Sequence, residues 1–242
     1  MNNIFSFRFN AFVTLNIVSL LLIFSWSYGA TREYWDLLDQ WVFDTTNPLL
    51  NELGGAWSWF WAVLSIRIAD LIPFFFILWF FYAKGVIFES KDRFSGFIGF
   101  ALLGVVMLFV RELLDFYVEY DNLNRASPTV LIGDAVRLSL MYPDFGLKDF
   151  SGDSFPGDHA AVLFTWLGYC LFFARNKWTP WILFVVILFI MPRLMAGAHW
   201  MSDIMVGGLG TALTTLAFGL YTPLLNTPQK ILNKIINRIL RK

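Results

Sequence analysis

Hydrophobic residues run along this chain in blocks of membrane length, separated by short polar stretches. A helix that crosses a bilayer needs roughly 20 mainly apolar residues. Six blocks meet or approach that length, at about 11–30, 57–82, 94–117, 159–174, 180–198 and 200–222. The second contains Arg67, Asp70 and Pro73 and is expected to kink or tilt. The fourth is short and is expected to begin near His159. The fifth and sixth are nearly fused, which predicts a tight turn at a membrane face. The pattern as a whole predicts an all-α integral membrane protein, a six-transmembrane-helix bundle. With no internal repeat or low-complexity linker, residues 1–242 read as one domain.

Composition supports this reading. The chain is 57% hydrophobic and 15% charged, with mean hydropathy +0.60, where a soluble domain carries about 25% charged residues. A net charge of zero gives no global field to attract nucleic acid. Cys170, the one cysteine, lies in an apolar run and reads as packing or lipid-facing. The first block follows Arg8 like a signal peptide, but Tyr28 stands where cleavage wants a small residue, so an uncleaved anchor is expected.

Lysine and arginine placement sets orientation. One side collects Arg8, Lys84, Lys91, Arg93, Arg175, Lys177, Lys230, Lys234, Arg238, Arg241 and Lys242. The other has only Arg32, Arg125, Arg137 and Lys148. Eleven against four predicts that both termini are cytoplasmic. From about 226 to 242 the tail interleaves Ile231, Leu232, Ile235, Ile236, Ile239 and Leu240 with basic residues, the pattern of an amphipathic helix on an anionic leaflet. The loop 31–56, with Trp35, Trp41 and several acidic residues, is expected to pack at the opposite interface.

Two polar islands fall on that non-cytoplasmic face, and each holds one of the two histidines. In the second island His199 and Asp203 are four apart and share a helix face. The carboxylate can fix the imidazole tautomer and leave the other nitrogen as nucleophile or base. Arg193 can fold back to offer a planar fork to phosphate or carboxylate. A buried structural pair would leave the same spacing. In the first island Pro156 and Gly157 open a helix whose N-terminal N–H groups favour anions, and His159 sits in its first turn. Such a histidine can donate a proton to a leaving oxygen, or simply face headgroup water. Arg125 adds a third basic point. Arg67 and Asp70 are expected to neutralise each other inside the bundle.

Together the islands resemble the type 2 phosphatidic acid phosphatase superfamily, whose pattern is K-x6-R-P, P-S-G-H and S-R-x5-H-x3-D. Arg193, His199 and Asp203 match the third block, with Pro192 in place of serine. Pro156 and His159 match the second, with Gly157 and Asp158 replacing Ser-Gly. Arg125 stands for the first-block arginine, but Val118 occupies the lysine position. The strings 125–129, 153–159 and 192–200 further resemble a branch of phosphotransferases that move phosphate from undecaprenyl pyrophosphate to the 1-phosphate of lipid A.

The resemblance implies a multi-pass protein of a bacterial inner membrane with its active site facing the periplasm, and lipid substrates, undecaprenyl pyrophosphate as donor and lipid A as acceptor. His199, oriented by Asp203, would form a phosphohistidine without metal or cofactor. His159 would act as acid and then base. Arg193, Arg125 and the N–H groups around Gly157 and Asp158 would hold the phosphate, with Arg111 as a further candidate. Water as acceptor would make the same site a lipid phosphatase. A haem or metal site using the two histidines and nearby aspartates is disfavoured by the accompanying arginines.

Overall fold

The computed structural model describes residues 5–83, 86–89, 92–173 and 178–240. Lys84, Lys91, Arg175, Lys177, Arg241 and Lys242, counted above for orientation, lie outside the described residues, as do the side chains of Asp70, Ile239 and Leu240. The described chain is helical, and its one β-contact is an isolated bridge between Ile66 and Leu147. The principal helices are α1 (Phe9–Ser27), α2 (Gly29–Thr46), α3 (Gly55–Ser65), α4 (Leu71–Tyr82), α5 (Arg93–Tyr120), α6 (Asp158–Phe173), α7 (Thr179–Met195), α8 (Asp203–Leu220) and α9 (Asn226–Leu240).

Among the described residues, α1, α5 and α8 are long and apolar enough to cross a membrane, while α6 and α7 are shorter apolar helices. Burial separates their roles. In α8 72% of the apolar window is buried, against 28% in α5 and 11% in α1. So α8 is the central helix, and α1 turns most of its surface outward. The core gathers where α4, α5, α6 and α8 meet around Trp166, Tyr169 and Phe81, with the Phe80 ring edge-on to Trp166 at 5.3 Å. On α1, Ser19 donates to the Gly210 carbonyl at 2.8 Å, which fixes α1 against α8.

Two expectations change. The apolar block 57–82 is broken rather than kinked: Ile66 is extended, and a 3-10 turn over Arg67–Asp70 separates α3 from α4. Pro73 lies in the first turn of α4, where its missing N–H removes no helical bond. The break has a partner, because Ile66 bridges to Leu147, and it leaves Arg67 exposed instead of facing the bundle interior. The expected interfacial loop 31–56 is mostly α2, a helix that lays Asp39, Phe43 and the following Asn47 against the bundle. Asn47 clasps Val136 in both directions, accepting from its amide at 2.8 Å and donating to its carbonyl at 2.9 Å.

Candidate active site

Arg193 and His199 are joined by a turn that ends α7. The Arg193 carbonyl accepts from the amides of Ala198 at 3.0 Å and His199 at 3.3 Å. Gly197 makes this possible at φ +65, a left-handed conformation that side chains resist. After the turn, α8 begins with a π-helical stretch over Asp203–Gly208, the kind of bulge often found at functional sites. The first island is pinned opposite: Phe155 stacks on Trp26 at 4.0 Å, and Pro156 lies so close to Gly207 that a Cβ there would sit 2.8 Å from it.

These supports bring His199 to Ser154. His199 Nδ1 is 2.8 Å from the Ser154 carbonyl and 3.4 Å from Asp203 Oδ2. A carbonyl only accepts, so Nδ1 carries a proton, and in the neutral ring the lone pair is on Nε2. Asp203 is fully buried. Its Oδ2 accepts from the Trp200 amide at 2.8 Å, and its Oδ1 from Arg125 at 3.0 Å. Arg125 also pairs with Asp39 at 2.8 Å and touches the Ser202 hydroxyl. Asp39 accepts from the Ser202 amide and hydroxyl, each at 2.7 Å. Burial pushes the Asp39 carboxyl above its ordinary value, partly opposed by Arg125 and Ser202.

Across the site, Arg193 donates to His159 Nε2 at 3.0 Å. Both line a cavity of about 100 Å³ together with His199, Arg111, Lys148, Asp153 and Asp158. The α6 N-terminus opens onto it, where helical N–H groups favour an anion. An apolar groove of about 250 Å³, lined by Phe74 and Ile77 of α4, Val162 of α6 and Phe189 of α7, meets this cavity at Asp158, His159 and Arg193. A larger apolar groove between α1, α5 and α8 shares no lining residue with it. Among the described residues, no three His, Cys, Asp or Glu side chains converge as they would on a metal ion.

The structure thus brings His159, Arg193 and His199 to one cavity, with Asp203 behind His199. It places three other expected residues differently. Arg125 is absent from the lining and is held by Asp39 and Asp203. The Gly157 amide donates to the Asp203 carbonyl at 3.0 Å, facing the π-helical stretch. Asp158 offers its carboxylate to Arg111 at 2.9 Å. Sequence reasoning missed Asp39, Ser202, Lys148 and the Ser154 carbonyl. For Asp39 a signal existed: Trp35, Asp39, Phe43 and Asn47 recur every four residues, one face of a helix with a carboxylate on it.

An all-helical chain with membrane-length helices and an oriented histidine facing a cationic cavity matches the PAP2 superfamily over residues 121–225. The chain belongs to that superfamily. It is similar to the lipid A 1-diphosphate synthase of Escherichia coli (strain K12), with 32% identity over 223 residues, 88% of this chain and 87% of that protein. No solved structure matches it. The chain is therefore a membrane enzyme acting on lipid phosphates.

Proposed function

We propose that this protein transfers a phosphoryl group from undecaprenyl pyrophosphate to the 1-phosphate of lipid A, at the periplasmic face of a bacterial inner membrane. The similarity to lipid A 1-diphosphate synthase supports the acceptor. The fold proposed for this task is one six-span domain: α1, the broken α3–α4 pair, α5, α6, α7 and α8, with both termini cytoplasmic.

One observation carries the chemistry. The Ser154 carbonyl and Asp203 hold His199 Nδ1, which leaves Nε2 as the basic nitrogen on a cavity shared with Arg193 and His159. In the first step Nε2 attacks the terminal phosphorus and the anhydride P–O bond breaks. Undecaprenyl phosphate leaves with a proton from His159. In the second step an oxygen of the lipid A 1-phosphate attacks the phosphohistidine, His159 takes up its proton, and the P–N bond breaks. Arg193 holds the equatorial oxygens, the positioning and charge stabilisation that phosphoryl transfer needs. Its fork donates to His159 Nε2 in the free site, so an arriving phosphate draws the guanidinium away, and that nitrogen takes up from water the proton it then passes to the leaving group. The groove reaching His159 fits the tail of the departing lipid. No metal or cofactor enters these steps.

A second reading, hydrolysis of undecaprenyl pyrophosphate or another lipid phosphate, is favoured by the exposure of the cavity rim. There the Asp158 side chain is 62% exposed, so water has access. Purified protein given terminally labelled undecaprenyl pyrophosphate, with and without lipid A, separates the two. Transfer puts label on lipid A; label released only as inorganic phosphate with lipid A present selects hydrolysis. In either case His199→Ala is expected to abolish turnover and any acid-labile phosphoprotein, and near-normal turnover of that variant would defeat the nucleophile assignment.

A further inference from the structure

Displacement at phosphorus is in line, so the group that leaves and the group that attacks occupy the same position opposite His199 Nε2. In the reading above both are themselves phosphates. Each brings its own negative charge to the corner beside His159, beyond the charge of the phosphoryl being moved. Arg193 is engaged by the transferred phosphoryl, and Arg125 is held by carboxylates. The cavity supplies two cations that lie outside all three motif blocks.

Arg111 is the first. It stands on α5 where the apolar run gives way to Glu112, Asp115 and Glu119, at the polar end of the span. Its Nε is 2.9 Å from Asp158, the residue before His159, and its other contacts are Glu112 at 2.6 Å and Asp115 at 3.5 Å. Lys148 is the second. It sits between Leu147, buried and bridged to Ile66, and Asp149, buried and accepting from the Ser139 amide at 2.7 Å. With both neighbours turned inward, alternation along an extended segment turns Lys148 the other way, and it lines the cavity. Among the described residues Lys148 makes no ion pair.

We propose that Arg111 and Lys148 form a second phosphate subsite, which receives the leaving lipid phosphate in the first step and the attacking lipid phosphate in the second. The proposal rests on the phosphotransfer reading and deepens it. One subsite serves both half-reactions because both use the same apical position. Asp158 holds Arg111 when the subsite is empty. Largely exposed, it can yield to a phosphate, which brings more charge and a better match to the guanidinium fork. The consequence is selectivity: a lipid pyrophosphate, whose leaving group is a phosphate, uses the subsite, and a lipid monophosphate, whose leaving group is an alcohol, does not.

The test compares farnesyl pyrophosphate with farnesyl phosphate as donors, with lipid A present as acceptor, on the purified full-length protein in detergent micelles. Arg111→Gln and Lys148→Gln are each expected to lower the kcat/KM ratio of pyrophosphate over monophosphate by about tenfold, the scale of one lost charge-assisted hydrogen bond. Arg111→Lys and Lys148→Arg are expected to restore part of it. A ratio unchanged in both glutamine variants overturns the subsite, whether the two activities fall together or stay put. Trapping the acid-labile phosphoprotein separates this from failure of the underlying reading. Wild-type protein that forms none and releases no phosphate from either substrate defeats the phosphohistidine mechanism itself. A wild type that forms it, beside variants with an unchanged ratio, defeats only the subsite.

Discussion

His199 is held twice on one nitrogen, by the Ser154 carbonyl and by Asp203, and the two holds differ in kind. The carbonyl fixes the tautomer. In the proposed mechanism the carboxylate would stabilise the charge that appears on the imidazole as phosphorus is attacked. An aspartate that sets the tautomer alone is worth about 10⁴-fold when changed to asparagine. Here Ser154 keeps the tautomer, so Asp203→Asn is expected to slow phosphohistidine formation strongly but by less than about 10⁴-fold. A single-turnover measurement reads this directly, and a loss as complete as that of His199→Ala would mean that Asp203 alone orients the ring. The spacing of Arg193, His199 and Asp203 was legible because it is local. The helix face that carries Asp39 is local too, but its partner is not, because its bonds to Ser202 span 163 residues of sequence. Arg125 is expected from the sequence at the phosphate, but the fold pairs it with Asp39 and Asp203, anions that only the fold shows it to meet.

Asp153 is expected to contribute to the pH response of the cavity. The Asp153 carboxyl is held above the ordinary carboxylate value, first by partial removal from water and then by neighbouring Asp115. A raised value means that folding favours the protonated form. Its contribution to stability is present below the ordinary value and is lost as pH rises through the raised one. For binding the sign is the same: as pH falls, Asp153 loses its charge early and repels phosphate less. Asp153→Asn removes that charge at every pH. It is expected to lower KM at neutral pH by about two- to fivefold, the size of a partly exposed charge interaction, and to flatten the acid limb of the KM profile. A profile that follows the wild type throughout would show that Asp153 does not face the bound phosphate.

Elements position these residues through close approaches that apolar patterning does not encode. The periodic blocks predicted the start of α6 and the turn between α7 and α8, because apolar length and Pro-Gly punctuation are local signals. The break at Ile66 was hidden, since its cause is a bridge to Leu147 some 80 residues on. In the second histidine turn, Gly197 combines a left-handed backbone with crowding. A Cβ there would lie 2.7 Å from Thr129 Cγ2 and 3.0 Å from Phe43. Gly197→Ala is expected to cost about 1–3 kcal/mol of stability and to lower kcat by more than the unfolded fraction explains, because His199 lies two residues on. Thermal unfolding and turnover of one preparation check both; a variant with unchanged melting and rate would show the turn to be adaptable.

Across the whole molecule, the candidate cavity lies at one end of the bundle, and the chain termini with their basic residues lie at the other. At one end Arg8 donates its amide to Tyr221 at 3.1 Å, and Gln229 of α9 donates to Ser95 near the start of α5 at 2.8 Å. That end carries Arg8, Arg93, Lys230, Lys234 and Arg238. At the other end the last turns of α5 and α7 meet the first turns of α6 and α8 around His159 and His199. Positive charge near span ends is retained on the cytoplasmic side; applied to these residues, that rule would turn the cavity toward the periplasm, the side the proposed acceptor requires. Cysteine labelling in intact cells tests this, and Cys170 is buried and so gives little background. Asp134→Cys, exposed on the cavity side, is expected to react with a membrane-impermeant maleimide, while Lys234→Cys on α9 reacts only after permeabilisation. The reverse pattern would put the cavity in the cytoplasm and remove the periplasmic acceptor, whereas labelling of both in intact cells would mean that an even number of segments crosses the bilayer between the two positions.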